Sequence, residues 1–286
     1  MSARGCGNLG AAISNIRITM IMIRSKPLRL LVLACIALAA AGTISARAGG
    51  EKELLAPKGP LRVGVYPGSP TSMMVDPAGQ THGVAHDLGQ EFGNRLGAPV
   101  EYITFPRVAD IVSAIKNGDV DFTVTNASPA RANDVSFSAP VISVELGYLV
   151  PANSAISRAD EIDRPGVRIG VTKGSTSERT LPEKFKHANI VPAESVKLAI
   201  GMLSQGEFEV YATNKAILFE MSDSIPGARI LDGNWGLEHI AIAIPKGREQ
   251  GLPFVEAFVK DVQSSGLLQQ IQQKAGLRGA VNAEPK

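Results

Sequence analysis

Cysteine is scarce in this sequence of 286 residues, where Cys6 and Cys35 are the only two. Both fall within the first 48 residues, and Cys35 lies in the middle of an apolar run, a poor context for lipidation. If those residues are removed as a leader, the remaining chain can form neither a disulfide bond nor a metal site built from thiolates. A fold held together by cross-links or by cysteine-bound metal is therefore excluded for that part.

Acidic residues are absent from the first 48 positions, which contain six of the 29 basic residues. Arg24, Lys26 and Arg29 precede the apolar run LLVLACIALAAAG, and the small-residue pattern Ala46-Arg47-Ala48 follows it. Because the run is short for a transmembrane helix, this order predicts a cleavable signal peptide over residues 1–48 and export to the periplasm. Removal leaves 23 basic against 27 acidic residues, which gives no indication of a nucleic-acid or anionic membrane partner.

Motifs of common catalytic sites are also missing, including G-x-S-x-G, the P-loop and the zinc-protease helix. His82 and His86 are four residues apart, with Asp87 adjacent, and could imitate a metal-binding pair on a helix. His82 precedes Gly83, outside the expected helix, and no third ligand is evident. We therefore predict no metal site, no cofactor and no catalytic residue.

What the sequence does contain is an alternation of strand and helix patterns. LRVGVY (61–66), VEYITF (100–105) and DFTVT (121–125) are typical of strands, with amphipathic helices between them. The alternation restarts with VRIGV, GSTSERTLPEKF, ANIVPA, ESVKLAIGMLSQG and FEVYAT, and the helices PFVEAFVKDVQ and GLLQQIQQKAG finish the chain. This pattern predicts two α/β units with parallel strands. A ligand site is expected in the cleft between them, at the carboxyl ends of the strands.

Two strand-to-helix turns, one in each unit, have the features of anion sites. In the first, Ser128 is a good N-cap and Pro129 suits the first helical position, yet Arg131 follows in the first turn, where the helix dipole disfavours a cation. In the second, Ser175 and Glu178 form an S-x-x-E capping box. Ordinary caps and a solvated surface arginine explain the same residues. The functional interpretation is that Arg131 binds a carboxylate bidentately while the second helix start offers N–H donors.

The order of these motifs resembles that of the family 3 periplasmic solute-binding proteins, the amino-acid-binding receptors of ABC importers. The resemblance covers residue 61 to about residue 275 and rests on LRVGV, GVAHDLGQEFGNRLG (like the family's G-F-D-V-D-L-A helix), NGDVDFTV, SPAR and VSFSAPV (like T-P-E-R and D-F-S-x-P-Y), YLVP, RIGVTKGST and the final helix pair. It implies an α/β, type 2 periplasmic binding fold of two Rossmann-like lobes around a ligand cleft.

Two hinge crossings are implied near Gly147–Pro151 and Ala241–Pro245. We expect lobe 1 to comprise residues 57–147 and 243–286, and lobe 2 to comprise residues 148–242. Trp235, near the second crossing, is expected to pack at the hinge or in the core.

The resemblance also implies a ligand site. In the family, the arginine that matches Arg131 binds the ligand α-carboxylate, helped by the main-chain N–H of the residue that matches Thr176, next to Ser175. The acidic residue that holds the ligand ammonium matches Asn214, which brings an acceptor but no charge. This departure argues against an ordinary α-amino acid and leaves a small carboxylate-bearing solute as the expected ligand.

Three further positions are expected to reach the ligand. The segment before Arg131 is two residues shorter than is usual in the family, and Asn126 is expected to replace the lost hydroxyl donors. Tyr66 and Ser69 occupy the loop after the first strand, where pocket contacts arise. Packing of Tyr66 on that loop is an equally good interpretation.

The resulting functional hypothesis is a monomeric receptor that closes on its solute and delivers it to the membrane permease of an ABC importer. One alternative is a periplasmic enzyme on the same fold, similar to a cyclohexadienyl dehydratase, although no convincing general acid lies near either turn. Another alternative is a sensory or accessory receptor that uses the same closure.

Overall fold

The structure is a computed structural model that describes residues 50–281. The predicted signal peptide (1–48) and both cysteines lie outside the described residues. In the part that the structure describes, no helix is long and apolar enough to cross a membrane.

Helices and strands alternate along the described chain. The helices are α1 (residues 50–55), α2 (Val84–Leu96), α3 (Val108–Lys116), α4 (Pro129–Ala132), α5 (Thr176–Lys184), α6 (Val196–Ser204), α7 (Lys215–Ser224), α8 (Leu252–Ser264) and α9 (Leu267–Lys274). The strands are β1 (Leu61–Val65), β2 (Met74–Val75), β3 (Thr81–His82), β4 (Val100–Thr104), β5 (Thr123–Asn126), β6 (Val135–Val150), β7 (Arg168–Thr172), β8 (Asn189–Ala193), β9 (Val210–Asn214), β10 (Arg229–Ile230), β11 (Gly236–Pro245) and β12 (Ala280–Val281).

Helix α2 shows how the sequence pattern becomes structure. Its residues Val84, Leu88, Phe92 and Leu96 recur at four-residue steps, and all four are buried. Gly97 ends the helix in the left-handed conformation (φ 68°), where its N–H bonds to the carbonyl oxygen of the last turn. Both features confirm the sequence prediction for this segment.

The strands extend across two halves of the molecule. In the first half β1 pairs with β4 in parallel, and the Gly64 N–H bonds to the carbonyl oxygen of Phe122, just before β5 (2.9 Å). In the second half β7 pairs in parallel with both β8 and β9. The prediction that each α/β unit contains parallel strands is therefore confirmed.

Two antiparallel strands, β6 and β11, connect the halves. The sheet order is β5-β11-β6-β9-β7-β8, so that this pair lies at its middle. Strand β6 pairs with β11 at Ile142 and, from Leu146 onward, with β9. Strand β11 also pairs with β5 from Ile240 onward. Each of the two strands is thus shared by both halves. The stretch of β6 before Glu145 was not predicted as a strand.

Apolar side chains form buried clusters on each side of this crossing. Two clusters contain residues between 55 and 144 or between 240 and 275, with Ala216 as the one exception, and helices α8 and α9 pack there. Two others contain residues between 148 and 231. This division is close to the predicted lobe limits, which themselves stay a prediction.

Both halves contain the same kind of ion pair, in which an arginine on the first strand of the half binds an acidic residue shortly before a later strand. In the first, the Nε and Nη2 atoms of Arg62 donate to the Asp121 carboxylate at 2.8 and 2.6 Å. In the second, the same atoms of Arg168 donate to Glu209 at 3.2 and 2.6 Å. The first pair is buried, with side-chain exposures of 8% and 0%, whereas the second is exposed at 42% and 38%.

The strands that follow these pairs end in asparagine. Asn126 ends β5 and Asn214 ends β9, each five residues after the paired acid. The two asparagines therefore occupy equivalent positions in the repeat, at the carboxyl ends of strands that flank the crossing.

Trp235, the only tryptophan in the sequence, lies beside the first crossing. It is partly buried, and its indole N–H donates to the main-chain oxygen of Gly147 in β6 (3.1 Å). Its ring lies 6.2 Å from that of Tyr148, and the Lys184 ammonium lies 5.4 Å from the ring centre. The residue packs against a crossing strand, as was expected.

Candidate functional site

One cavity lies where β5 and β9 end and where α5 and α7 begin. Its cavity volume is about 40 Å³, which is room for a few water-sized groups. Its lining is rich in hydroxyl and amide groups. The residues are Tyr66, Thr71, Pro106, Arg107, Val108, Val124, Thr125, Asn126, Arg131, Thr172, Ser175, Thr176, Val196, Thr213, Asn214, Ile217, Glu238 and Ile240.

Arg131 enters the cavity from the short helix α4. Ser128 caps this helix, its hydroxyl accepting from the Arg131 N–H (3.4 Å), and Pro129 occupies the first turn as predicted. Only 5% of Arg131 is exposed, which excludes the alternative of a solvated surface arginine. Its Nη1 donates to the hydroxyl of Thr125 (2.8 Å) and to the main-chain oxygen of Asn126 (3.3 Å).

The charge of Arg131 has no direct counter-ion. Within residues 50–281 no carboxylate forms an ion pair with it, in contrast to the buried Arg62. Burial lowers the pKa of Arg131 to about 10, and the negative charge of Glu238 only partly opposes this effect. A buried cation that lacks a partner is costly, so the site is prepared for an anion from outside.

The start of helix α5 faces the same cavity. Ser175 caps it, its hydroxyl accepting from the Glu178 N–H at 3.2 Å. The Glu178 carboxylate accepts from the N–H of Gly174 (2.5 Å), one residue earlier than the predicted capping box requires. As the first residue of the helix, Thr176 has a main-chain N–H without an acceptor inside the helix.

Asn126 connects the two sides of the cavity. Its Nδ2 donates to the Thr176 hydroxyl (3.0 Å), and its Oδ1 accepts from the His239 N–H (3.0 Å). At the cavity rim, Arg107 also pairs with Glu194. The first contact joins the end of β5 to the start of α5, and the second joins the start of α3 to the connection between β8 and α6, so the two sides of the cavity touch in this structure.

Asn214 caps helix α7 and also contacts an acid. Its Oδ1 accepts from the Ile217 N–H (3.1 Å), and its Nδ2 donates to Glu238 Oε2 (3.0 Å). The amide oxygen, which was expected to face the ligand, is therefore already engaged. Glu238 itself is 8% exposed and lines the cavity from β11.

Tyr66 lines the cavity from the loop after β1, and its main-chain N–H donates to the Ser72 hydroxyl (2.9 Å). Burial raises the pKa of its phenol, and the charge of Glu238 acts in the same direction. Ser69 is fully buried outside the lining, with its hydroxyl 2.8 Å from that of Thr71. Six of the seven predicted ligand residues thus surround one cavity, and contact of any of the seven with a ligand stays a prediction.

Glu238 is the buried charged lining residue that sequence reasoning missed. It lies two residues before Ile240, which also lines the cavity, so both side chains point to the same face of β11. A glutamate in phase with the apolar residues of a strand was the available signal. Thr125, which bonds to Arg131, was overlooked in the same way.

His86, one of the two histidines considered for metal binding, has other partners. His86 Nδ1 lies 2.8 Å from the Asp87 carboxylate, and its ring stacks on Tyr102 with 4.2 Å between the centres. Residues 50–281 contain no group of three or more histidine, cysteine, aspartate or glutamate side chains arranged to hold a metal ion.

Comparison with known proteins agrees with this architecture. Residues 61–277 match the model of the bacterial extracellular solute-binding proteins, family 3. The solved structure of a mutant of ArgBP from T. maritima superimposes with a TM-score of 0.71 at 20% identity, over 79% of this chain and 99% of that one. The fold is the two-lobed, type 2 periplasmic binding fold. The chain belongs to the family 3 solute-binding proteins, whose members are extracellular or periplasmic.

Two of the named relatives are binding proteins. The ABC transporter glutamine-binding protein GlnH of Bacillus subtilis (strain 168) is 24% identical over 201 residues, which is 69% of this chain and 73% of the relative. The ancestral amino acid-binding protein AncCDT-1, a precursor of cyclohexadienyl dehydratase, superimposes with a TM-score of 0.68 at 24% identity, over 77% and 96% of the two chains.

Proposed function

We propose that this protein is a periplasmic receptor that captures a small carboxylate-bearing solute by lobe closure and delivers it to an ABC importer. The observation that carries the proposal is Arg131, a buried cation without an ion-pair partner among the described residues, in a cavity at the start of α5. A ligand carboxylate would accept from the guanidinium, while the free N–H of Thr176 would add a neutral donor.

The same contacts support the proposal of closure. Asn126 on one side and Thr176 on the other bond to each other across the cavity. In the proposed division, residues 57–147 and 243–286 form one lobe and residues 148–242 the other, with the predicted signal peptide removed on export. A ligand that touches both lobes stabilises the closed form, which is the form that a permease would recognise.

The test begins with a thermal-shift screen of amino acids and small carboxylic acids, because ligand binding to the folded state raises the melting temperature. Each compound that binds is then titrated by calorimetry against Arg131→Ala and against the control Arg164→Ala, an exposed arginine. Loss of a buried charged contact should weaken binding by about 2–5 kcal/mol in the first variant only. If both variants bind the compound with equal affinity, Arg131 is not a ligand-binding residue.

An enzyme remains the second candidate because Glu238 gives the cavity a carboxyl group opposite the Arg131 charge. No carboxyl group that could act as a general acid was predicted from the sequence. Incubation with prephenate and with arogenate decides between a receptor and a dehydratase. A receptor leaves both compounds unchanged, whereas a dehydratase converts them into aromatic products. Glu238→Gln would then abolish turnover.

A further inference from the structure

We propose that Glu238, and not a residue at the end of β9, is the side chain that selects the cationic group of a zwitterionic solute. The inference rests on the proposed function, since it assumes that Arg131 receives the carboxylate. It places the negative charge of the site on strand β11. The resemblance to the family would place the residue that holds the ligand ammonium at the end of β9.

Position and burial support this assignment. Glu238 is 8% exposed, lines the cavity, and accepts one hydrogen bond, from Asn214 to its Oε2 (3.0 Å). Within residues 50–281 no donor bonds to its Oε1. A buried carboxylate with one oxygen unused can accept from an ammonium group.

Asn214 acts as the support for this carboxylate. Its Oδ1 is committed to the Ile217 N–H at the start of α7, which fixes the amide and points its NH₂ group at Glu238. The residue therefore orients the acid instead of binding the ligand cation itself. The pair supplies a charge that asparagine alone lacks.

The two charges of the cavity are complementary but separate. Arg131 and Glu238 both line it and influence each other electrostatically, yet no ion pair joins them. A simple carboxylate would satisfy Arg131 but would bring a like charge towards Glu238. A zwitterion satisfies both and leaves no buried charge alone, so the site should reject acids that lack the amine.

A different explanation is that Glu238 merely balances the charge of Arg131. The two explanations differ in selectivity. A balancing charge affects all carboxylates equally, whereas a cation-binding charge distinguishes an amino acid from the same acid without its amino group.

The experiment measures that selectivity by calorimetry. L-glutamine, L-alanine and L-serine are compared with 4-carbamoylbutanoate, propanoate and 3-hydroxypropanoate, which lack only the amine. For any pair that binds, we expect the wild type to prefer the amino acid by at least about 30-fold, the lower limit for a buried charge contact. Glu238→Gln should reduce this preference at least about tenfold, while Glu207→Gln, at an exposed position, should not.

A charge-exchange variant separates ligand binding from a structural role. In Asn214→Asp with Glu238→Gln, the aspartate still accepts from Ile217 and the glutamine can donate to it, so the pair is kept and the charge moves by one side chain. We expect this double variant to regain most of the preference for the amine. It also provides a folded comparison if Glu238→Gln alone is unstable.

The outcomes can be told apart. If the wild type binds the acids as tightly as the amino acids, or if Glu238→Gln keeps the full preference, the assignment of Glu238 is wrong while the carboxylate receptor stands. If carboxylic acids and amino acids alike fail to bind the wild type, the proposed function is overturned together with this inference.

Discussion

Replacing Arg131 by methionine should stabilise the free protein while it abolishes ligand binding. Methionine keeps much of the length and apolar surface of the side chain but removes its charge. In this structure that charge is buried without an ion pair, so its removal eliminates an unfavourable interaction instead of a favourable one.

The magnitude follows from the pKa of Arg131, which burial lowers from 12.5 to about 10. At about 1.4 kcal/mol for each pKa unit, folding disfavours the charged side chain by about 3 kcal/mol. Against this gain, Thr125 and Asn126 each lose a donor, at about 1 kcal/mol apiece. The net expectation is a rise of about 1 kcal/mol in the free energy of unfolding.

The matched control is Arg62→Met, which removes an arginine of similar burial that is paired with Asp121. Arg62→Met should lower the free energy of unfolding by at least about 1.5–3 kcal/mol, because the Asp121 carboxylate keeps its pair with Arg248 but loses the charged hydrogen bonds from Arg62. Urea denaturation followed by circular dichroism, in a buffer free of carboxylic acids, measures both variants. If Arg131→Met were as destabilising as Arg62→Met, the guanidinium would be a structural group and the argument for an anion site would fail.

Three further variants test other parts of the structure. Asp121→Asn should cost about 3–5 kcal/mol of stability because it leaves the buried Arg62 and the partly buried Arg248 unpaired, whereas Glu209→Gln, in the exposed equivalent pair, should cost less than about 1 kcal/mol; equal urea midpoints would contradict the difference in burial. Gly83→Ala should lower the melting temperature by several degrees, since Gly83 has φ 143° and an added Cβ would lie 2.4 Å from a carbonyl oxygen; an unchanged melting curve would refute this. Asn126→Ala should remove the bond to Thr176 and increase the radius of gyration of the free protein in X-ray scattering; an unchanged radius would show that this bond does not hold the two sides of the cavity together.

The sequence predicted the elements that depend on local pattern. Helix α2 and its glycine C-cap were correct because one apolar face and one left-handed residue define them. Helix α7 was missed because its apolar residues Ala216, Ile217 and Leu218 follow one another directly and give no helical period. The first part of β6 was missed since its strand character comes from pairing with the distant β11.

The same distinction applies to the site. Arg131 and Ser175 were predicted as ligand-binding residues because caps and turn residues indicate helix starts from local sequence alone. Glu238 was missed because its neighbour Asn214 is 24 residues away in sequence and Arg131 comes from another part of the sheet. Long-range strand pairing brings these side chains into one cavity, and no short motif encodes it.

The indole of Trp235 has a practical consequence for measurement. As the only tryptophan in the sequence, it alone determines the long-wavelength fluorescence of the protein. Its N–H holds the crossing strand at Gly147, and the ammonium of Lys184, at the end of α5, lies over its ring. Movement of α5 relative to that strand alters both contacts and hence the emission. The protein therefore contains its own optical reporter of how α5 packs against this crossing strand, and no dye has to be attached to follow it.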